Sequence, residues 1–465
     1  MFGLFKETFK VIEEAIVQIS EPLLGPKASN KRRAVELHKQ AVVLSNAGRR
    51  EEALGLNTEA VPLLRTLAPG HAGFTRILAR TLANIGVDSW ALGRRGDAVR
   101  MYIESAQLLR VLVKTDPEAT SHLDKALVRL GFALKEVGRL DEAICTYEEL
   151  VQLRCGHILG ERDVPKPSEN LCAALDALCA TLKAAGRSKD SLRTHEEVVK
   201  VRGQLAANDP AAVKKLAFAV TDYGVALNRE GQAEEAVRHG EESVRLLRKL
   251  AEAESDPALT GYLAVALHDL AAHLKAAGRD EEALKVSQEA LDIRRERVKT
   301  CPGPTAIVDL ATSLHNLSGH LRAVHRKADA IPAIQEAVDL RRSLAEKDPK
   351  VEPVLASSLY FLSQYLAEAQ RHDDALRAHG ESVQLRRKLA AQDLQTSNLI
   401  LFSVSLKTHG KMFKQAGRYA DALDANGEAV ALLSTLSEAD PENIQVVQEL
   451  AGSLKQLAVM LSVAG

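Results

Sequence analysis

The chain is 465 residues long, and its 61 Lys and Arg stand against 62 Asp and Glu for a formal net charge of -1. A balance this even excludes the whole-chain field that pulls a protein onto nucleic acid or an acidic membrane. Apolar residues reach 46 % while aromatics stay at 4 %, which suits helices packed through Ala and Leu better than an aromatic-rich sheet.

Residues 1–30 read as an amphipathic segment, with Phe2, Phe5, Phe9, Ile12 and Ile16 at helical spacing. Glu7, Lys10, Glu13 and Glu14 interrupt the apolar core that a secretory signal requires. Capping of the first repeat unit is the expected role; docking on a further domain and contact with a membrane surface are the alternatives. No run in the chain reaches the roughly 18 apolar residues of a membrane-spanning helix.

Over residues 31–465 one unit recurs. "NAGRREEAL" ends at Leu54, "EVGRLDEAI" at Ile144, "KAAGRDEEAL" at Leu284 and "QAGRYADAL" at Leu423. The Gly of this phrase stands at Gly48, Gly93, Gly138, Gly186, Gly231 and Gly278, is replaced at His325 and Gln370, and returns at Gly417. The spacings are 45, 45, 48, 45, 47, 47, 45 and 47, and so regular a period marks a solenoid.

Each unit is predicted to be two helices. Leu267, Leu270, Ala271 and Leu274 share one helical face, and Gly278 ends that helix in the left-handed conformation. A second run turns Ala283, Val286, Ala290 and Ile293 inward and stops near "KTCPGP". At the comparable breaks "KTDPEA", "ANDPAA", "ESDPAL" and "EADPEN", the Asp is expected to cap a helix and the Pro to open it. Pro62 and Pro332 fall inside second helices and are expected to kink them or delay their start. The expected fold is all-α, an α-α superhelix of about nine long helix pairs plus a terminal helix carrying Leu454, Leu457, Ala458 and Leu461. That helix ends on the non-polar "QLAVMLSVAG", at the glycine position of a tenth unit, where an array usually closes with a polar-faced cap. The expectation is therefore a piece of a longer protein.

These units resemble the tetratricopeptide repeat, whose pattern places Gly or Ala at position 8, Gly at 15 and a small residue at 20. With the ruler glycine as position 15, position 8 is Ala41, Gly86, Gly131, Cys179, Gly224, Ala271, Ser318, Ser363 and Gly410. Position 20 is Ala53, Ala98, Ala143, Ser191, Ala236, Ala283, Ala330, Ala375 and Ala422. Small residues there let two helices approach closely. The units are longer than the family's usual period of about 34, which makes them similar to the kinesin light chain variety and to arrays of fungal and bacterial signalling proteins. The resemblance implies a non-catalytic scaffold that binds a protein or peptide along a concave groove. It leaves two alternatives open, a sensor array of a larger signalling NTPase or protease and a kinesin-light-chain-like cargo adaptor.

The chemistry-bearing motifs for nucleotides, zinc or acyl transfer are absent from the sequence, so neither an enzyme nor a bound cofactor or metal is expected. His315, His320 and His325 step by five and spread around a helix, as do His268 and His273, so each is expected on the surface or in the groove. Cys145, Cys155, Cys172, Cys179 and Cys301 form no CxxC pair, and read as free thiols of a reducing, cytoplasmic compartment. Cys179 holds a packing position and is expected to be buried. Trp90 fits either packing at an irregular repeat or a groove contact.

Position 16 is Arg in eight units, position 19 is acidic in all nine, and position 26 is Glu from Glu59 to Glu428. Charges present in every unit read as geometry, with the acids complementing helix N-termini. Recognition is expected where units differ. By the resemblance, positions 2, 5, 9, 12 and 13 line the groove. They carry Arg80, Lys125, Lys135, Lys183, Arg229, Lys275, Arg322, Lys407, Lys411 and Lys414 against Glu136, Asp176 and Glu368. The expected ligand is thus an acidic peptide, held most strongly toward Lys407, Lys411 and Lys414. Lys135, Lys183, Lys275, Arg322 and Lys414 also fall in a last helical turn, where a cation complements the dipole without any ligand.

Overall fold

The structure, a computed structural model, describes residues 26–156, 168–253 and 256–464. The apolar run from Phe2 to Ile16, and Gly465, lie outside them. Every extended element among the described residues is a helix. The first-helix and second-helix partners are α1 (Pro26–Asn46) with α2 (Arg50–Leu67), α3 (Ala72–Ala91) with α4 (Arg95–Leu112), and α5 (Thr120–Glu136) with α6 (Leu140–Arg154). There follow α7 (Glu169–Ala184) with α8 (Ser188–Asn208), α9 (Val213–Arg229) with α10 (Ala233–Ala253), and α11 (Pro257–Ala276) with α12 (Asp280–Thr300). The series closes with α13 (Pro304–Ala323) and α14 (Lys327–Ala345), α15 (Glu352–Glu368) and α16 (His372–Gln392), α17 (Thr396–Gln415) and α18 (Tyr419–Ala439), then α19 (Ile444–Ala464). The chain divides after Ala219 into two compact units.

The ruler position is left-handed in every pair. φ runs from 71° at Gly186 to 80° at Gly48, and it is 62° at both His325 and Gln370. The amide one residue later reaches back to close the helix end: Arg279 donates to the Leu274 carbonyl at 2.8 Å, Arg326 to Leu321 at 2.8 Å and Arg371 to Leu366 at 2.9 Å. One turn geometry therefore survives the loss of glycine at two sites, where the side chain carries a conformational cost that glycine avoids.

Packing explains position 8. A Cβ on Gly86 would stand 2.5 Å from the Tyr102 ring, and one on Gly131 would stand 2.7 Å from the Tyr147 ring. Asn426 presses on Gly410 in the same way. In the first unit these tyrosines join Leu109, Leu127, Leu134 and Leu150 in one core. In the second, Leu314, Ile334, Val338 and Leu359 belong to the corresponding layer.

Four expectations change in detail. Pro62 and Pro332 delay nothing, since their helices start at Arg50 and Lys327 and run through them. Both prolines are exposed, so the carbonyl each deprives of a partner faces water. Asp116, Asp209 and Asp256 accept from the amide two residues on, at 3.1, 2.9 and 2.9 Å. Asp440 has no such bond; α19 begins later, with Asn443 accepting from the Val446 amide at 3.3 Å. On α12 the buried face is Ala283, Leu284, Ser287, Ala290, Leu291 and Arg294, while Val286 and Ile293 are half-buried. On α19, Leu454 and Leu461 are exposed and Val446, Ser453 and Met460 turn inward.

Candidate functional site

The repeated charges form a framework on the second helices. Arg49–Glu52, Arg139–Glu142, Arg187–Asp190, Arg279–Glu282, Arg326–Asp329, Arg371–Asp374 and Arg418–Asp421 each pair three residues apart. Arg94 reaches Glu51 of the preceding pair instead. In six repeats the Glu of position 26 is met by an Arg one repeat earlier: Arg65–Glu104, Arg110–Glu149, Arg248–Glu289, Arg295–Glu336, Arg342–Glu381 and Arg387–Glu428. These pairs are largely solvent-exposed and each adds little stability, but together they set the register between repeats.

The sequence pattern alone missed the position just before that one, which carries Arg in five repeats. Arg154, Arg202, Arg294, Arg341 and Arg386 donate to the carbonyls of Asn170, Lys215, Asp309, Val354 and Leu401, each at the same place on the next first helix. Arg294 and Arg341 are only 6 % and 7 % exposed, and burial lowers the pKa of both guanidiniums and of Arg386. Arg294 and Arg341 also donate to the hydroxyls of Ser313 and Ser358. The signal was present in "DIRRER", "DLRRSL" and "QLRRKL". Adjacent residues point about 100° apart on a helix, so the first Arg turns in while the second pairs outside.

The cations of the first-helix stripe behave differently. Arg322 is bound by Glu368 and Lys407 by Glu449; of the three stripe acids, Asp176 is also taken, by Arg202. The remaining cations are Arg80, Lys125, Lys135, Lys183, Arg229, Lys275, Lys411 and Lys414, and among the described residues none has a carboxylate partner. Lys135, Lys183, Arg229, Lys275 and Lys414 occupy last helical turns. Arg80, Lys125 and Lys411 do not, and all three are exposed.

Arg80 and Lys125, one repeat apart, line the same cleft in the first unit. About 340 Å³ in volume, it has Arg80 and Asn84 of α3 on one wall and His122, Lys125 and Arg129 of α5 on the other. Ala79, Ala83, Ser105, Leu109 and Ala126 complete the lining, which contains no acid. Burial, then the charges of Arg80, Lys125 and Arg76, hold the His122 imidazole below its ordinary pKa. Asn84, His122 and Arg129 lie outside the first-helix stripe, because the cleft opens between two first helices. Farther along α5, Val128 is 39 % and Phe132 49 % exposed. Trp90 stands edge-on to Phe132 at 5.6 Å, takes Arg95 over its face at 5.3 Å and packs on the core.

Among the described residues His38, His273, His320 and His379 are buried, which corrects the expectation of surface or groove positions for His273 and His320. Burial pushes His38, His273, His315, His320 and His409 down to about 4, and His379 to about 3. Asp269 is pushed up to about 6 by burial and then by the Asp222 charge. His379 and His409 stack with their Nδ1 atoms 3.1 Å apart. Among the described residues no three His, Cys, Asp or Glu converge as metal ligands, and no helix is long and apolar enough to cross a membrane. Cys172 and Cys179 are buried.

Residues 78–122 and 263–299 match the family model of the tetratricopeptide repeat. No curated protein sequence matches the chain. Among solved structures, BtubC (BKLC) from P. vanneervenii is 19 % identical over 54 % of this chain and 92 % of that one, with a TM-score of 0.45. A Podosopora anserina putative kinesin light chain with nearly identical TPR-like repeats is 19 % identical over 49 % and 98 %, with a TM-score of 0.37. A STAND signal-transduction ATPase with a tetratricopeptide repeat sensor, from Pyrococcus horikoshii, is 13 % identical over 85 % and 54 %, with a TM-score of 0.46. With a left-handed turn in every helix pair and a small residue at each position 8, each compact unit is an array of helix pairs of tetratricopeptide-like fold.

Proposed function

We propose that this chain is a non-catalytic, cytoplasmic scaffold that binds an acidic peptide or protein segment along the first-helix face of its repeats. One contrast carries the reading. The repeated arginines of the second helices are spent on carboxylates and carbonyls within the fold, whereas eight cations of the first-helix stripe meet no carboxylate among the described residues. Unspent charge of one sign attracts a partner of the other and speeds its encounter. Arg322 and Lys407 contribute less, since Glu368 and Glu449 already engage them. The favoured contacts therefore move from Lys407 toward Lys411 and Lys414, and in the first unit toward Arg80 and Lys125.

The test is affinity capture at two salt concentrations, with partners identified by mass spectrometry. The expected outcome is that Lys275→Glu, Lys411→Glu and Lys414→Glu together abolish capture, while Arg387→Glu in the framework leaves it. Recovery of the same partners at the same salt by the triple variant would sink the reading.

A further inference from the structure

We infer that the cleft between α3 and α5 receives a phosphorylated side chain of a partner peptide. The inference rests on the acidic-peptide reading and narrows it to one anchor. Arg80 and Asn84 are four residues apart on α3, and His122, Lys125 and Arg129 step by three and four on α5. Each set shares one helical face, and both faces look into the same gap.

The acids nearest in sequence are already engaged elsewhere. Asp88 accepts from Ser45 and Arg50, Asp124 from Arg154, and both Asp116 and Glu118 pair with Arg76. Arg80, Lys125 and Arg129 have no carboxylate partner among the described residues. The positive charge of the cleft is thus left uncompensated by the fold.

The arrangement favours a phosphoryl group over a carboxylate. A carboxylate carries one charge on two coplanar oxygens, against the three cations Arg80, Lys125 and Arg129 of the two walls. A phosphoryl group carries about -1.5 to -2 at neutral pH and three acceptor oxygens, enough to meet the guanidinium of one wall and the cations of the other. A second contact lies on the same helix. From Lys125 to Phe132 is about 10 Å of helical rise, about three residues of extended peptide. The exposed Phe132, backed by Trp90, is placed to take an apolar side chain three positions from the phosphorylated one.

The experiment presents three degenerate peptide libraries to the immobilised full chain, with phosphoserine, glutamate or serine fixed at the centre. Phosphoserine is expected to bind at least about tenfold more tightly than glutamate, with apolar residues enriched three positions away. Arg80→Glu with Lys125→Glu, or the milder Arg80→Gln with Lys125→Gln, should remove the phosphoserine preference without lowering the melting temperature. Phe132→Ser should remove only the apolar enrichment. Equal binding of glutamate and phosphoserine would overturn phosphate recognition and leave the acidic-peptide reading standing. If the acidic libraries bind but ignore the Arg80 and Lys125 substitutions, the anchor falls and the acidic-peptide reading stands; if no library binds, both fall.

Discussion

The ring of Tyr102 occupies the space a side chain on Gly86 would need, 2.5 Å from the position of its Cβ. The same relation joins Gly131 to Tyr147 in the next repeat, at 2.7 Å. In these two repeats the small position is half of a matched pair, glycine on the first helix and a ring on the second. Gly86→Ala should displace the ring and cost about 1–3 kcal/mol. Gly55→Ala, on an open stretch of α2 with nothing within 4 Å, should instead stabilise by about 0.5–1 kcal/mol. Urea denaturation of the two variants distinguishes them by the sign of the midpoint shift.

His325 and Gln370 hold the left-handed turn at φ 62° without being glycine. His325→Gly and Gln370→Gly should each raise the thermal midpoint, since the strain relieved is about 1 kcal/mol. Gly278→Ala, at φ 75°, should lower it. A fall in the midpoint on introducing glycine would show that these side chains hold the turn through contacts of their own.

Arg341 and Arg342 are neighbours with opposite fates. Arg341 is 7 % exposed and donates to the Val354 carbonyl and the Ser358 hydroxyl, whereas the Arg342 side chain is 42 % exposed and pairs with Glu381. Arg341→Ala removes a buried side chain together with its hydrogen bonds to Val354 and Ser358 and should cost about 1–3 kcal/mol. Arg342→Ala should cost under about 1 kcal/mol. Equal losses on denaturation would refute the division of labour.

The buried histidines make the fold acid-labile. His273, His315, His320 and His409 titrate near 4 and His379 near 3 when folded, against 6.5 ordinarily. Between those values the unfolded chain binds more protons than the folded one, so stability falls as pH drops from about 6.5 toward 4. Asp269 acts the other way. Its carboxyl, raised to about 6 from 3.8, keeps its proton when folded, so stability is lost as pH rises through that window. The melting temperature should fall steeply below pH 6.5, and Asp269→Asn should raise it at pH 7 but hardly at pH 4. A melting temperature flat from pH 7 to pH 4 would contradict the burial of these rings.

By itself the sequence determined the repeat, its turn and its helix pairs. These are local: a left-handed turn needs one residue, and an amphipathic helix shows its period within a dozen residues. It also marked which charges recur and therefore belong to the framework. Which charges remain free was decided only by tertiary structure. Whether Lys407 has a counter-ion depends on Glu449, 42 residues away, and whether Arg341 is buried depends on a carbonyl of the next repeat. The cleft of Arg80 and Lys125 was invisible for the same reason. Its walls belong to helices one repeat apart, and no pattern within either helix records how closely packing brings them together.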